Sequence, residues 1–259
     1  MRSVVMTRNW LVLIAVAASV AIVEARQLAE RDQHAATQHF KRGMQALLGE
    51  KYDEAEQEFR GAVKIDPLYD VAFYGLGQVY MATKQFESAV KAYTAARDAF
   101  KSTTSVEALA GASSDRRLKD QIDALKDYER SLTKQAAVSR NPSAQAAMDR
   151  IRDQIQQMES RMHRSGGPPP PVPAGFSMAL GSAYFRLNQL TDAEREYKAA
   201  IAVDPAFGEA HNNLAVVYLI TGRIAEADAA LKAAEKADFK VNPRLKDDIA
   251  AAVAKKRGS

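Results

Sequence analysis

The chain has no cysteine among its 259 residues. That absence excludes disulfides, thiolate catalysis, cysteine-held metals and a lipid anchor on cysteine. Histidine is scarce too, with only His34, His39, His163 and His211. No two of these have the spacing that sets a ligand pair on one helix face, and His34 and His39 are five apart, so no metal site is expected. No strand pattern occurs, and no glycine-rich phosphate loop follows one. Acid–base catalysis needs positioned groups with shifted pKa values, and no such pair stands out. No catalytic residue, no cofactor and no enzymatic activity are therefore expected. Charge of one sign is missing as well. The 36 basic and 32 acidic residues leave a net charge of +4, without the clustered basic face that nucleic acid calls for. No apolar run reaches the roughly 20 residues of a membrane-spanning helix.

What is present begins with Trp10 to Val23, a 14-residue apolar run in which only Ser19 is polar. Arg2 and Arg8 precede it, and Val23-Glu24-Ala25 follows. Residues 1–25 therefore read as a signal peptide cut before Arg26, which places the chain in a periplasm or outside the cell. The alternative is an uncleaved inner-membrane anchor, the one route by which a membrane would enter. Apolar residues make up 47% and charged residues 26% of the chain, enough for a packed core.

A 34-residue echo occurs twice. Gly43, Ala55, Phe59 and Ala62 recur as Gly77, Ala89, Tyr93 and Ala96, and Gly181, Ala193, Tyr197 and Ala200 recur as Ala215, Ala227, Leu231 and Ala234. Each unit reads as two amphipathic helices. The turns between them fall at Gly49-Glu50-Lys51, Thr83-Lys84-Gln85, Leu187-Asn188-Gln189 and Thr221-Gly222-Arg223. Pro67 and Pro205, in Asp-Pro pairs, end the first and third units, because proline cannot continue a helix. Small residues on both helices let them cross closely, and the bulky Phe59, Tyr93, Tyr197 and Leu231 fill the space between units. One unit cannot bury these faces alone, so the units must stack.

In these residues the chain resembles the tetratricopeptide repeat family. The likeness covers four units, about half of the chain. It departs from the family pattern early in each first helix, where His39, Phe73, Ser177 and His211 stand, and at Lys101 and Phe239, where the closing proline is absent. The resemblance implies an all-α, right-handed helical solenoid of two repeat pairs, at 26–101 and 174–238. It also implies a concave surface, lined by the first helices, that grips a peptide or a helix. By position that lining is Phe40, Met44, Leu47, Tyr74, Gln78, Met81, Met178, Ser182, Phe185, Asn212, Val216 and Leu219. Phe40 and Tyr74 stand where some family members carry bases that clamp a peptide carboxylate, so no such clamp is expected.

Residues 102–173 are inserted between the second and third units. Thr103 to Ser114 reads as a loop with room for a short helix. Asp115 to Ala137 follows, with Leu118, Ile122, Leu125, Leu132 and Ala136 at coiled-coil spacing, broken once by Glu129. Asn141-Pro142 stops the chain and Ser143 can cap the next helix. Ala144 to Arg164 carries Met148, Ile151, Ile155, Met158 and Met162. An antiparallel helical hairpin about 30 Å long is expected, with its alternating charges facing solvent, followed by a stiff proline-rich spacer at 166–173. Residues 239–259 read as a C-terminal capping helix, with Leu245, Ile249 and Val253 towards the stack and a basic end that favourably opposes the helix dipole.

The expected function is a non-enzymatic protein–protein interaction scaffold in the cell envelope, with a peptide or helix held in the largely apolar concave groove. Two alternatives stand beside it. One is a structural spacer that forms a homo-oligomer through Asp115–Arg164. The other is a membrane-tethered part of a secretion or envelope-assembly complex. The Met-rich hairpin could also fill the chain's own groove.

Overall fold

The computed structural model of the chain describes residues 31–110, 113–139, 142–162 and 171–257. Residues 1–25, expected to be a signal peptide, lie outside them, as does most of the proline-rich run. All regular structure among the described residues is helical. The elements are α1 (31–48), α2 (Tyr52–Ile65), α3 (Asp70–Ala82), α4 (Phe86–Ala110), α5 (Ser113–Ser139), α6 (Pro142–Met162), α7 (Ala174–Arg186), α8 (Leu190–Val203), α9 (Gly208–Ile220), α10 (Ile224–Lys236) and α11 (Pro243–Arg257).

The turns inside the four repeats are built alike. A left-handed residue sits in each: Glu50 (φ 56°), Lys84 (φ 60°), Asn188 (φ 59°) and Gly222 (φ 74°). The next N–H then bonds back five residues, from Lys51 to Ala46, Gln85 to Tyr80, Gln189 to Tyr184 and Arg223 to Tyr218, at 2.8–2.9 Å. This closure satisfies helix-end carbonyls that would otherwise have no partner. The Asp-Pro stops have their own device. The Asp66 and Asp204 carboxylates each accept an N–H from two residues on, at 3.0 Å, bridging the proline that cannot donate. Asn242 does the same for Arg244 at 2.9 Å and opens α11.

The small residues sit where the helices cross. A Cβ on Gly77 would run into the Tyr93 ring, and one on Gly181 would meet Tyr197 at 2.6 Å. Glycine stands opposite the aromatic in three units, whereas Ala215 stands opposite the smaller Leu231. Gly77→Ala is therefore expected to cost about 1–3 kcal/mol by overpacking. In a Tyr93→Leu background the same change should turn neutral or mildly stabilising, because alanine is the better helix former by roughly 1 kcal/mol. Urea denaturation of the four chains measures that coupling.

The insertion interrupts the sequence but not the stack. Helix α4 packs on α7 as α2 packs on α3 and α8 on α9, and α11 closes the end against α10. Phe176 of α7 is the plug of this junction, 3% exposed. Its ring lies 5.8 Å from Phe100 and 5.5 Å from Tyr74. Arg97 reaches both carboxylate oxygens of the buried Glu196 at 3.3 Å, and the Arg186 guanidinium lies over the Phe86 ring at 5.1 Å.

Two expectations need correction. Residues 103–110 are not a loop with at most a short helix: α4 runs on to Ala110, and no proline or glycine intervenes before Gly111. Helix α5 ends at Ser139, short of Asn141-Pro142 as expected, but Ser143 does not cap the next helix, because Pro142 already belongs to it. Pro142 is the first residue of that helix, a position where a missing N–H costs nothing.

Helices α5 and α6 are antiparallel. Their cross-links are Lys126 to Glu159 (2.7 Å), Glu129 to Arg152 (2.5 Å) and Thr133 to Met148 (3.3 Å), so the numbers rise on one helix as they fall on the other. The expected seam residues Leu118, Ile122, Leu125, Leu132, Met148, Ile151, Ile155 and Met158 are buried. Ala136 and Met162 lie outside the described side chains. Glu129, the break in that seam, turns its charge to Arg152.

Candidate site on the concave face

The hairpin lies over the first repeat pair. Gln33 donates to Asp120 at 3.4 Å and Lys41 to Asp127 at 2.9 Å, tying α1 to α5. Gln121, 3% exposed, donates to Asp70 of α3 at 3.4 Å. The seam residues of α5 and α6 share one apolar cluster with Phe40, Met44, Leu76 and Tyr80.

The expected lining therefore divides. Phe40 is 1% and Met44 6% exposed, and Phe40 packs on Phe59 and Tyr69 with ring centroids at 5.9 and 5.6 Å. These two are core rather than groove, because aromatic neighbours and the hairpin's own cluster cover them. Leu47 is half-buried against the same cluster. Tyr74 is engaged in the junction, 5.2 Å from Tyr93 as well as 5.5 Å from Phe176.

Between the hairpin and α7 a chamber of about 550 Å³ remains. Tyr74, Gln78 and Met81 line it from α3, and Tyr128, Ile151, Asp153 and Gln154 from the hairpin. Phe176, Met178 and Ser182 line it from α7, and Val203, Asp204, Phe207 and Glu209 from the end of α8 and the start of α9. A second hollow of about 230 Å³ adjoins it, bounded by Met81, Ser182, Phe185, Arg186, Tyr197, Asn213 and Val216. Of the expected residues, Tyr74, Gln78, Met81, Met178, Ser182, Phe185 and Val216 thus line these two hollows, which share Met81 and Ser182. Asn212 is one position from Asn213 of the smaller hollow, and Leu219 is half-buried against the cluster of the second pair.

Ser182, Tyr197 and Asn213 bring polar groups to the mostly apolar lining of the smaller hollow. The Tyr197 phenol, 1% exposed, is pushed up to about 12 by burial, against the opposing pull of hydrogen bonds with Ser182 and Asn213. Asn212 donates to Asn213 Oδ1 at 3.1 Å, while its own Oδ1 is buried with no hydrogen-bond partner. In the larger chamber, burial pushes the Tyr128 phenol up to about 12. It also raises Asp153, with the Asp204 and Asp149 carboxylates adding to the effect.

Tyr128, Asp153, Asp204, Phe207 and Glu209 are site residues that the sequence does not disclose. Asp153 belongs to the alternating charges of the hairpin, which read as a solvated face. Phe207 and Glu209 flank the start of α9, outside the positions that the repeat pattern assigns to the groove. Among the described residues, no group of three or more histidines and acids could hold a metal. His39 is bound up with Glu58 at 2.7 Å, and His211 with the Pro205 carbonyl at 3.0 Å. No described helix is long and apolar enough to cross a membrane.

Family profiles described as Tetratricopeptide repeat match residues 46–112 and 178–239, together about half of the chain. No curated protein matches it. Similar solved structures include PilW, a widely conserved type IV pilus biogenesis factor, at 17% identity, with 85% of this chain and 86% of that one covered and a TM-score of 0.40. A thermophilic TPR protein of Thermus thermophilus is 20% identical, with 85% and 100% covered and a TM-score of 0.29. The TPR2AB domain of yeast Sti1, in complex with pHSP90, is 15% identical, with 84% and 98% covered and a TM-score of 0.29.

Proposed function

Because this chain is a tetratricopeptide repeat protein, we propose that it is a non-enzymatic scaffold that holds a protein segment on the concave face of α7 and α9, with the inserted hairpin as the opposite wall. The carrying observation is the division of that face. At its start Phe40 and Met44 are covered by α5 and α6, while its second half keeps half-buried Phe185 and Val216 around an open hollow that Ser182 and Asn213 also line. Apolar anchors beside polar side chains suit a peptide, which brings side chains and backbone N–H groups together.

The homo-oligomeric spacer finds less support, since the seam that would self-associate is already buried within one chain. Export to the envelope rests on the apolar run 10–23 alone.

One experiment addresses both. The chain purified from cell envelopes is expected to begin at Arg26. A photo-crosslinking residue at position 185 or 216 should trap a discrete partner there, and one at the exposed Lys91 should not. Phe185→Ala with Val216→Ala should weaken retention of that partner about tenfold or more at unchanged helicity. Equal trapping at Lys91, or no adduct at either groove position, removes the concave face as the site.

A further inference from the structure

The mouth of the larger chamber has a charge bias. Asp153 of α6, Asp204 at the end of α8 and Glu209 of α9 line it, and no lysine, arginine or histidine does so among the described residues. Other carboxylates of the second repeat pair do meet cations. Glu194 takes both Lys198 and Arg223, at 2.6 and 2.7 Å. Neither Asp153 nor Asp204 makes an ion pair with a described residue, and Asp204 is occupied by the backbone N–H of Ala206 at 3.0 Å. Partial desolvation, with the Asp204 and Asp149 carboxylates adding to it, holds the exposed Asp153 above its ordinary range. The rings of Tyr74, Tyr128 and Phe207 line the same chamber, and aromatic faces attract cations, most strongly where water is scarce. A cavity of about 550 Å³ is of the size that takes a few side chains rather than a broad protein surface.

We propose that the segment this chamber holds is cationic: a short peptide stretch in which a lysine or arginine, set between Asp153 and Asp204, alternates with an apolar side chain that enters among the tyrosines. The inference rests on the reading of the concave face as a protein-binding surface, and it names the chemistry of the partner. An acidic segment would meet like charge at the mouth. A neutral one would gain the apolar contacts only.

Fluorescein-labelled short peptides of alternating Leu/Lys, Leu/Ser and Leu/Glu, titrated with the full chain and followed by anisotropy, test it. The Leu/Lys peptide is expected to bind about tenfold tighter than Leu/Ser, with Leu/Glu weakest. Asp153→Asn with Asp204→Asn should abolish that preference while leaving Leu/Ser binding unchanged, and salt should erode it in the native chain. If the double variant loses helicity, Asp153→Asn alone serves, since Asp153 is exposed. Equal binding of Leu/Lys and Leu/Ser, or a preference that survives the asparagines, overturns the cationic partner and leaves the concave face standing. Failure of all three peptides to bind overturns both.

Discussion

Phe176→Ala is expected to lower stability by about 3–5 kcal/mol and to split one unfolding transition into two. In a repeat stack each unit touches only its neighbours, so stability is close to a sum of units and interfaces. The residues before the insertion and those after it meet through α4 and α7. Phe176 fills that contact at 3% exposure, against Phe100 and the fully buried Ala96. Alanine leaves a ring-sized cavity and removes two aromatic contacts, each worth roughly 0.5–1.5 kcal/mol beyond burial. Phe185→Ala is the control, since Phe185 is half-buried at an open hollow and its loss should cost far less. Calorimetry of both variants decides the matter. A single transition with a shift as small as that of the Phe185 variant would mean that the two halves are coupled elsewhere.

Removing residues 113–162, which leaves Gly111-Ala112 joined to His163, should expose the first half of the concave face. Phe40, Met44 and Leu76 share a cluster with the hairpin's inner residues, and re-exposing each forfeits up to about 1.5–3 kcal/mol. The shortened chain is expected to bind a hydrophobic dye, to self-associate in light scattering, and to keep the amide protection of α8 to α11. An exposed apolar patch of that kind is rare on a monomer. A shortened chain that stays monomeric, dark to the dye and as stable as the original would mean that the hairpin covers nothing.

The repeats were legible because their signal is local and doubled. A glycine opposite Phe59 or Tyr93, an Asp-Pro pair at a helix end and Ile249 at a cap each carry their reason within a few residues, and all stand where the pattern puts them. The continuity of the stack was not legible. Gly77 and Gly181 are 104 positions apart, which breaks the 34-residue period, so nothing in the spacing says that α4 and α7 touch. Helix α4 outruns its expected end because the missing proline at Lys101 removes a stop, and the family pattern places none further on. The docking of the hairpin was hidden for a different reason. Leu118, Ile122 and Ile155 are spaced for contact with each other, and that spacing is silent about the further surface they help to cover. The same silence put Phe40 and Met44 in the groove rather than in the core.

The insertion leaves the stack after α4 and rejoins it at α7, two helices that lie side by side. A detour whose two ends are neighbours costs little to lengthen, since doubling a closed loop adds only about 0.6 kcal/mol. Growth at that joint leaves the register of every later unit untouched. The joint therefore behaves as a docking port, through which a solenoid can acquire an accessory wall, or exchange it for another, without rebuilding the rod that carries it.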